Sequence, residues 1–238
     1  DIFDLNKNIK LLYDFQNRGM EFKAILAAGL DANFTMAVLN DLAHLPAVSP
    51  LIAYITHHKN VFRDFLEKNN LPYPRWREVG KEEELKSAVK YIGFPLIVKN
   101  LDNSGSRGTR KFFREPKFQE LLKAFKNAAD ASSTKTAVIE QLFDGPEQTT
   151  EGIFDVNGKF WPCLITDRIF DRKSIFAAER SLEHPSTLPP DKQKALWDLV
   201  ELTAKKLGMT IGTAKADTMV TKNGPVIIEM TTRLSGGF

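Results

Sequence analysis

The first candidate for chemistry is a lysine at the end of a short apolar run. The run "FPLIVKN" (residues 94–100) has the length and the β-branched character of a buried strand, and it carries Lys99 near its end. A buried ammonium group needs an anion or water as its partner, because burying an unpaired charge is costly. An isolated lysine usually extends to solvent, so Lys99 indicates an anion site only if other features support it.

A glycine-rich loop directly after this lysine is the second feature. Glycines let backbone N–H groups approach an anion, and serine and arginine side chains add donors. An ordinary surface hairpin has the same composition, however, and the chain contains neither a G-x-x-x-x-G-K-[ST] run nor a G-x-G-x-x-G run that opens a helix. The residues with which this loop could bind phosphate are Ser104, Gly105, Ser106, Arg107 and Gly108.

Carboxylates near the C-terminal end are the third feature. The run "VIIEMTTR" (residues 226–233) places Glu229 near the end of another apolar strand, with Arg233 four residues later, and Asp217 lies on the predicted partner strand of the same hairpin. Mg²⁺ prefers one or two protein carboxylates together with substrate phosphates. A strand-borne lysine, a glycine-rich loop and two carboxylates therefore predict a site for a polyphosphate and a metal ion, where positioning and charge neutralisation supply most of the catalysis.

Length and composition exclude several classes of protein. The 238 residues predict one large α/β unit or two to three small lobes. With 33 basic and 30 acidic residues, the net charge of +3 is too small to indicate a nucleic acid or an anionic membrane as partner. The single cysteine, Cys163, cannot form an internal disulfide, and no apolar run reaches the roughly 18 residues of a membrane span. These features predict a soluble, cytoplasmic protein.

Periodicity and turn residues predict the elements that position these groups. Two strand pairs are predicted to turn at Asn157-Gly158 and at Lys222-Asn223-Gly224, and residues 71–80, with two prolines, are predicted to be a linker. Further strands are predicted at "PLIV", "RKFF" and "TAVIEQLF". Helices are predicted at "NIKLLYDFQNRG", "NFTMAVLNDLAHL", residues 56–69, "KEEELKSAVKYIG", "PKFQELLKAFKNAAD" and residues 191–207.

Three other groups of residues have simpler interpretations. His57 and His58 are adjacent on a predicted helix, where their side chains point apart, so we expect surface residues and no metal pair. Cys163 has no histidine near it in the sequence, so a buried inert thiol is expected. The basic residues Arg107, Arg110, Lys111, Arg114 and Lys117 have no interleaved aromatic positions beyond Phe112 and Phe113, so phosphate neutralisation by Arg107 and a solvated hairpin are favoured over a nucleic-acid site.

The chain resembles the ATP-grasp enzymes, in particular the carbamoyl-phosphate-synthetase-like and L-amino-acid-ligase-like carboxylate–amine ligases, from about residue 31 to its last residue. The resemblance rests on five blocks in the family's order: "GFPLIVKN", "SGSRGT", "VIEQLFDGPEQTTEG", "HPSTLP" and "GPVIIEMTTRLSGG". It implies an α+β fold, with ATP bound between two lobes. Residues 1–52 would then be the tail of a preceding Rossmann-like α/β domain, residues 53–143 the linking helix and the small lobe, and residues 144–238 a large lobe that is truncated at its C-terminal end.

For the nucleotide, the resemblance implies a set of contacts along the cleft. Lys59 and Lys99 correspond to the two lysines that contact phosphates, and the glycine-rich loop folds over them. Glu140 lies in the strand that links the lobes, where the Gln141 carbonyl and the Phe143 N–H would address the adenine edge. Glu147 corresponds to the acceptor of the ribose hydroxyls. The predicted cofactors are ATP and Mg²⁺, with Mn²⁺ as an alternative ion.

For the metal and the substrate, the resemblance implies that Asp217 and Glu229 are the metal carboxylates and that Arg233 steadies the substrate carboxylate or acyl phosphate. The family usually has Glu-x-Asn-x-Arg, whereas this chain has Thr231 at the asparagine position. A threonine hydroxyl is a weaker ligand for a hard cation than an amide oxygen, so a second metal ion is less well supported.

The implied activity is an ATP-dependent ligase in which a substrate carboxylate is phosphorylated and an amine then displaces phosphate to form an amide. The partners are a small-molecule carboxylate and an amine, with no nucleic acid and no membrane, and a homodimer is left open. Two alternatives remain at this point, namely a nucleotide-binding module without ligase activity and a phosphotransferase that stops at the phosphorylated product.

Overall fold

The computed structural model describes residues 1–27, 30–102, 108–171, 174–177 and 179–236, in which the chain forms seven α-helices and nine β-strands. The helices are α1 (Leu5–Asn17), α2 (Asn33–Leu42), α3 (Pro50–His57), α4 (Lys59–Lys68), α5 (Leu85–Ile92), α6 (Phe118–Asp130) and α7 (Pro190–Lys206). The strands are β1 (Trp76–Val79), β2 (Leu96–Asn100), β3 (Arg110–Phe112), β4 (Ala137–Gln141), β5 (Glu147–Phe154), β6 (Phe160–Phe170), β7 (Glu179–Glu183), β8 (Gly212–Thr221) and β9 (Gly224–Thr231).

The strands form two antiparallel sheets, which confirms the α+β class. The first sheet has the order β1-β4-β2-β3, and the second sheet has the order β7-β6-β5-β8-β9. The chain passes from the first sheet to the second between β4 and β5. In the described part of the chain, no helix combines the length and the apolar character that a membrane span requires.

Helices α5 and α6 cover the first sheet. Leu121 and Phe125 are spaced four residues apart on α6, so they share one face, and both are buried. They pack in one core with Leu96 and Val98 of β2. Strand β2 lies between β4 and β3 and is buried along its whole length, so Lys99 is on an inner strand of the first sheet and not on an edge strand.

Helices α4 and α7 pack on the second sheet. Phe62 and Leu66 of α4 are four residues apart and buried, and they share a core with Val200 of α7 and with Ile227 of β9. Apolar burial of this kind stabilises the fold by roughly 25 cal/mol for each Å² removed from water. Helix α4 also contacts β1 of the first sheet, so it lies between the two sheets and its polar side chains can reach the cleft side of the first sheet.

Local patterns located most elements correctly, and both predicted hairpins are confirmed. Gly158 and Gly224 have φ values of +75° and +108°, the left-handed region that the glycine of an Asn-Gly turn supplies. Strands β2, β3 and β4 and helices α1, α2, α6 and α7 also form where they were predicted.

Two predictions were wrong. The helix expected over residues 56–69 is two helices, because His58 is extended (φ −95°, ψ 110°) and the N–H of Lys59 donates to the Leu101 carbonyl at 3.1 Å. The expected linker over residues 71–80 contains β1, which pairs with β4. In both cases a contact distant in sequence overrides the local signal. The assignment of residues 1–52 to a separate α/β domain stays a prediction.

Candidate functional site

A cleft of about 360 Å³ lies between the two sheets, and most of the predicted site residues line it. They come from α4, from β2 and β4 of the first sheet, from β5, β8 and β9 of the second, and from the segments after β4 and β9. The predicted residues that line the cleft are Lys59, Lys99, Glu140, Gln141, Phe143, Glu147, Asp217, Glu229, Thr231 and Arg233.

The glycine-rich loop is described only at its C-terminal end. Ser104, Gly105, Ser106 and Arg107 lie outside the described residues. Gly108 has a φ of +68°, and a Cβ there would lie 2.8 Å from the backbone oxygen of Asn127 on α6. Backbone conformation and close approach both require glycine at the point where the loop rejoins the fold.

On the first-sheet side, three charged side chains form a buried group that we call the Glu140 cluster: Arg63, Lys99 and Glu140. Arg63 Nε donates to Glu140 Oε1 at 2.8 Å, and Lys99 Nζ lies 3.0 Å from Glu140 Oε2. The Arg63 side chain has no exposed surface, and those of Glu140 and Lys99 are 1% and 9% exposed. The carboxylate therefore accepts from two cations in a site that water barely reaches.

The ionisation of this cluster follows from its contacts. Burial alone raises the pKa of Glu140, but Arg63 and Lys99 outweigh it and lower the pKa to about 2. Burial alone lowers the pKa of Lys99, but the charges of Glu140 and Glu229 outweigh it and the net shift is upward. Lys99 is therefore a cation at neutral pH, and the carboxylate of Glu229 contributes to this from across the cleft.

The role of Arg63 was not predicted, although its position on α4 indicates a buried charge that needs a partner. The residue lies on the same face of α4 as buried apolar residues, and a charged residue on such a face implies a buried partner. Its Nη2 atom also donates to the Ile228 carbonyl at 2.5 Å. Arg63 thus links the first-sheet cluster to β9 of the second sheet, on the strand that carries Glu229.

On the second-sheet side, Asp217 and Glu229 are direct partners in the register of β8 and β9, as the hairpin predicted. Asp217 accepts from Lys215 Nζ at 2.5 Å and from Thr149 at 3.2 Å, and it lies 2.6 Å from Arg168 Nη1. Burial raises the pKa of Asp217, but Lys215 and Arg168 outweigh it and lower the pKa to about 2.

Arg168 on β6 pairs with three carboxylates, and no pattern in the sequence indicated this role. It pairs with Asp217, with Glu147 through Nη1, and with Glu179 at 2.5 Å through Nε. Burial raises the pKa of Glu147, because the attraction of Arg168 does not offset the loss of water around the carboxylate. We call the group of Glu147, Arg168, Glu179, Lys215 and Asp217 the Asp217 cluster.

Lys59 and Glu229 approach each other across the cleft at 3.8 Å. Lys59 Nζ also donates to Asn100 Oδ1 at 3.4 Å, and the Glu229 side chain is 44% exposed. Burial raises the pKa of Glu229, but Lys59 and Lys99 outweigh it and the net shift is downward. Glu229 is therefore an ionised carboxylate held loosely by its neighbours, and it is open to exchange them for a ligand.

The segment after β4 and the segment after β9 also line the cleft. Gln141 ends β4, where its N–H donates to the Arg75 carbonyl at 2.8 Å, and Phe143 follows it. After β9, Arg233 pairs with Asp31, donating from Nε to Oδ1 at 3.1 Å. The predicted substrate cation is thus already bound by a carboxylate.

The donor set fits a divalent cation bound with phosphate. Mg²⁺ takes one or two protein carboxylates and completes its octahedron with water and substrate phosphates, and Asp217 and Glu229 are register partners that both line the cleft. In the described part of the chain, no three His, Cys, Asp or Glu side chains form a closed metal cage. The pair therefore suits an ion that arrives with its own oxygen ligands.

The expectation that Cys163 is buried was wrong, and the two adjacent histidines are partly exposed. His57 and His58 are half-buried, and His57 lines the cleft, where burial together with the charges of His58 and Lys59 lowers its pKa. Cys163 is exposed on β6 and not buried. Neighbouring protein atoms that displace some of the water around the thiol, together with the nearby Glu151, raise the pKa of Cys163, which disfavours the nucleophilic thiolate.

A large part of the chain matches a known protein family. The sequence profile of the ATP-grasp domain matches residues 92–238. The chain is 32% identical over 159 residues to a D-alanine–D-alanine ligase of Pseudomonas entomophila, which covers 65% of this chain and 47% of the relative. It is 25% identical over 158 residues to the carbamoyl phosphate synthase large chain of Clostridium perfringens, covering 66% of this chain and 14% of the relative.

Solved structures show the same fold at lower sequence identity. The L-amino acid ligase from Bacillus licheniformis superposes with a TM-score of 0.79 at 19% identity, covering 99% of this chain and 55% of that protein. The chain spans about half of the length of the D-alanine–D-alanine ligase and of the L-amino acid ligase, and a smaller part of the synthase.

Proposed function

Because the chain belongs to the ATP-grasp family, we propose that it forms the ATP site of a ligase that activates a substrate carboxylate for attack by an amine. The γ-phosphoryl group moves from ATP to a carboxylate oxygen, which gives ADP and an acyl phosphate. The amine nitrogen then bonds to the acyl carbon, phosphate leaves with the electrons of the broken C–O bond, and the nitrogen loses a proton. The product is an amide.

The observation that carries this proposal is the opposite charge of the two sides of one cleft. Lys99 and Lys59 reach it from β2 and α4, and Asp217 and Glu229 reach it from β8 and β9. The two lysines can bind the anionic oxygens of a polyphosphate, and the two carboxylates can bind a metal ion that the polyphosphate carries. A triphosphate with its cation satisfies both sides together.

In this arrangement the nucleotide lies along the cleft from the end of β4 to the end of β9. Lys59 and Lys99 hold the phosphates, the Gln141 carbonyl and the Phe143 N–H bind the adenine edge, and Glu147 accepts from the ribose. Glu147 must then loosen its pairing with Arg168. We propose residues 53–143 and 144–238 as the two lobes, with the glycine-rich loop over the phosphates.

At the metal and substrate end, Glu229 and Asp217 hold the cation, and Arg233 exchanges Asp31 for the substrate carboxylate or acyl phosphate. When bound, Mg²⁺, or Mn²⁺ in its place, neutralises charge on the phosphates and fixes their geometry. Glu229 exchanges its partners most easily because it is the more exposed of the two carboxylates. Homodimer formation, the absence of a nucleic-acid partner and a cytoplasmic location stay predictions.

The test is release of ADP by the intact protein with pooled amino acids and other carboxylates. Lys99→Met and Glu229→Gln remove one charge from each side of the cleft, and each is expected to lower turnover by at least about a hundredfold. Lys123→Met on the exposed face of α6 and Glu201→Gln on α7 are matched controls that retain activity. Full ADP release by both cleft variants would refute the mechanism.

Thr231 keeps the nucleotide-binding module without ligase activity as a second candidate, because a weaker donor there favours binding over phosphoryl transfer. Hydroxylamine separates the possibilities, since it traps an acyl phosphate as a hydroxamate. Hydroxamate formation together with ADP shows that an acyl phosphate forms, and amide formation when an amine replaces hydroxylamine supports the ligase. MgATP binding without stimulated turnover supports the module, and a stable phosphorylated product supports a phosphotransferase.

A further inference from the structure

Asn33, the first residue of α2, reaches the cleft from outside both sheets. The residue is only 4% exposed. Its Nδ2 atom donates to the Thr231 hydroxyl at 2.5 Å, whereas its Oδ1 atom is buried and has no hydrogen-bond partner among the described residues. A buried amide oxygen without a donor or a cation beside it is destabilising and rare in folded proteins.

A second asparagine on the same helix shows what a purely structural role looks like. Asn40 is 3% exposed, and its Oδ1 accepts from the Ile25 N–H at 3.1 Å. Its Nδ2 donates to the carbonyls of Ile25 and Met36 at 2.8 and 2.9 Å. Asn40 is therefore satisfied by the protein, whereas Asn33 keeps one hard oxygen donor unused.

The position of Asn33 indicates which ligand this oxygen suits. Thr231 and Glu229 are two residues apart on β9, so their side chains lie on one face, and Asp217 is the register partner of Glu229. Asn33 is therefore hydrogen-bonded to Thr231, which lies on the same face of β9 as Glu229, and Asp217 is the partner of Glu229 on β8. Amide and carboxylate oxygens are the ligands that a hard divalent cation prefers.

We propose that Asn33 supplies the amide oxygen at the metal end of the cleft, at the place where β9 itself offers only the Thr231 hydroxyl. Thr231 then orients the amide by accepting from Nδ2, and Oδ1 joins Glu229 and Asp217 in holding the cation that arrives with the nucleotide. This inference rests on the proposed function, because it assumes that a cation–nucleotide complex enters the cleft. It assigns a role to a residue from α2 that lies outside both sheets.

The test measures Mn²⁺ binding by electron paramagnetic resonance in the full chain, with and without ADP. Asn33→Leu removes the amide at nearly constant volume, and Asn33→Asp keeps a hard oxygen. We expect Asn33→Leu to raise the dissociation constant of Mn²⁺ in the ADP complex by about tenfold or more. We expect Asn33→Asp to bind Mn²⁺ at least as tightly as the wild-type protein. ADP binding without metal should stay within about twofold in both variants.

Controls separate a metal-binding role from a structural one. Asn40→Leu on the same helix should lower the thermal unfolding midpoint and leave Mn²⁺ affinity unchanged. In the Asn33→Leu background, Thr231→Asn restores an amide from the strand side and should recover most of the lost affinity. If Asn33→Leu does not fold, Asn33→Ser, which also lacks the amide oxygen, replaces it with the same expected loss.

Several outcomes would overturn the inference. Unchanged Mn²⁺ affinity in Asn33→Leu would do so, as would an equal loss in Asn33→Asp. An equal loss of ADP affinity without metal would mean that Asn33 presents an N–H to phosphate, and it would also contradict the inference. If the wild-type protein itself binds no Mn²⁺ with ADP, the proposed function fails. If the wild-type protein binds and Asn33→Leu binds equally well, only the present inference fails.

Discussion

The Glu140 cluster and the Asp217 cluster line opposite sides of the same cleft and differ in the balance of their charges. In the first, Arg63 and Lys99 share one carboxylate. In the second, Arg168 and Lys215 are bound by three carboxylates, and Glu229 lies opposite one of them. One side therefore has an excess of cations and the other an excess of anions.

The two clusters also differ in their contact with water. The three side chains of the Glu140 cluster are between 0% and 9% exposed, whereas the Arg168 and Glu147 side chains are 19% and 23% exposed. Interactions between charges strengthen as water is excluded, and so does the penalty for leaving one charge unpaired. The Glu140 cluster is therefore a fixed part of the fold, and the Asp217 cluster can exchange partners when a ligand binds.

The largest expected effect follows from breaking the buried cluster. Arg63→Met leaves Glu140 with a single cation, and we expect a loss of roughly 3–5 kcal/mol in the free energy of unfolding. Urea unfolding of the full chain measures it. The matched control is Arg77→Met, an exposed arginine over the Tyr91 ring, which should cost less than about 1 kcal/mol. Equal losses in the two variants would contradict the distinction between a fixed and an exchangeable side.

A smaller effect is expected on ADP affinity, and its dependence on Mg²⁺ should distinguish the two sides of the cleft. Lys99→Met removes a phosphate contact, so it should weaken ADP binding about tenfold to a hundredfold both with and without Mg²⁺. Glu229→Gln removes a metal contact, so it should weaken binding only when Mg²⁺ is present. Isothermal titration of each variant under both conditions measures the contrast. The same metal dependence in both variants would show that the two sides do not have separate roles.

The smallest effect, when expressed per pH unit, is the dependence of stability on pH. Because the pKa of Glu140 is lowered to about 2 from 4.5, the unfolded state takes up the proton first as the pH falls. The free energy of unfolding should therefore decrease between about pH 4.5 and pH 2, by up to ~1.4 kcal/mol for each pH unit. Glu140→Gln should reduce this slope, and the exposed Asp198→Asn should leave it unchanged. The pH series of urea unfolding curves would contradict the assignment if all three slopes agreed.

Local sequence was sufficient for elements whose signal lies within a few residues. Asn157-Gly158 and Asn223-Gly224 turn their strands because glycine adopts the required positive φ, whatever the rest of the fold does. Strand β1 had no such signal, since the prolines before it dominate the local pattern and only pairing with β4 makes it a strand. Strand β7 likewise depends on β6 and was not predicted.

The residues of the site likewise fall into those that the local sequence indicates and those that it does not. Lys99, Asp217 and Glu229 could be selected from the sequence because each lies on an apolar strand, where a charge needs an explanation. Their partners could not be selected. Arg63 meets Glu140 across 77 residues of sequence, and Asn33 meets Thr231 across 198.

By itself, the sequence determined the α+β class, both hairpins, the family and the identity of the charged side chains at the strand ends, because strand periodicity and turn geometry act over a few residues. Only the tertiary structure decided that the helix near residue 58 breaks so that Lys59 meets β2, that Arg63 and Arg168 hold the two sets of carboxylates, and that one amide oxygen on α2 stays without a protein donor. The physical reason is that electrostatic and hydrogen-bond energies depend on distance and burial in space, and spacing along the chain does not encode either of them.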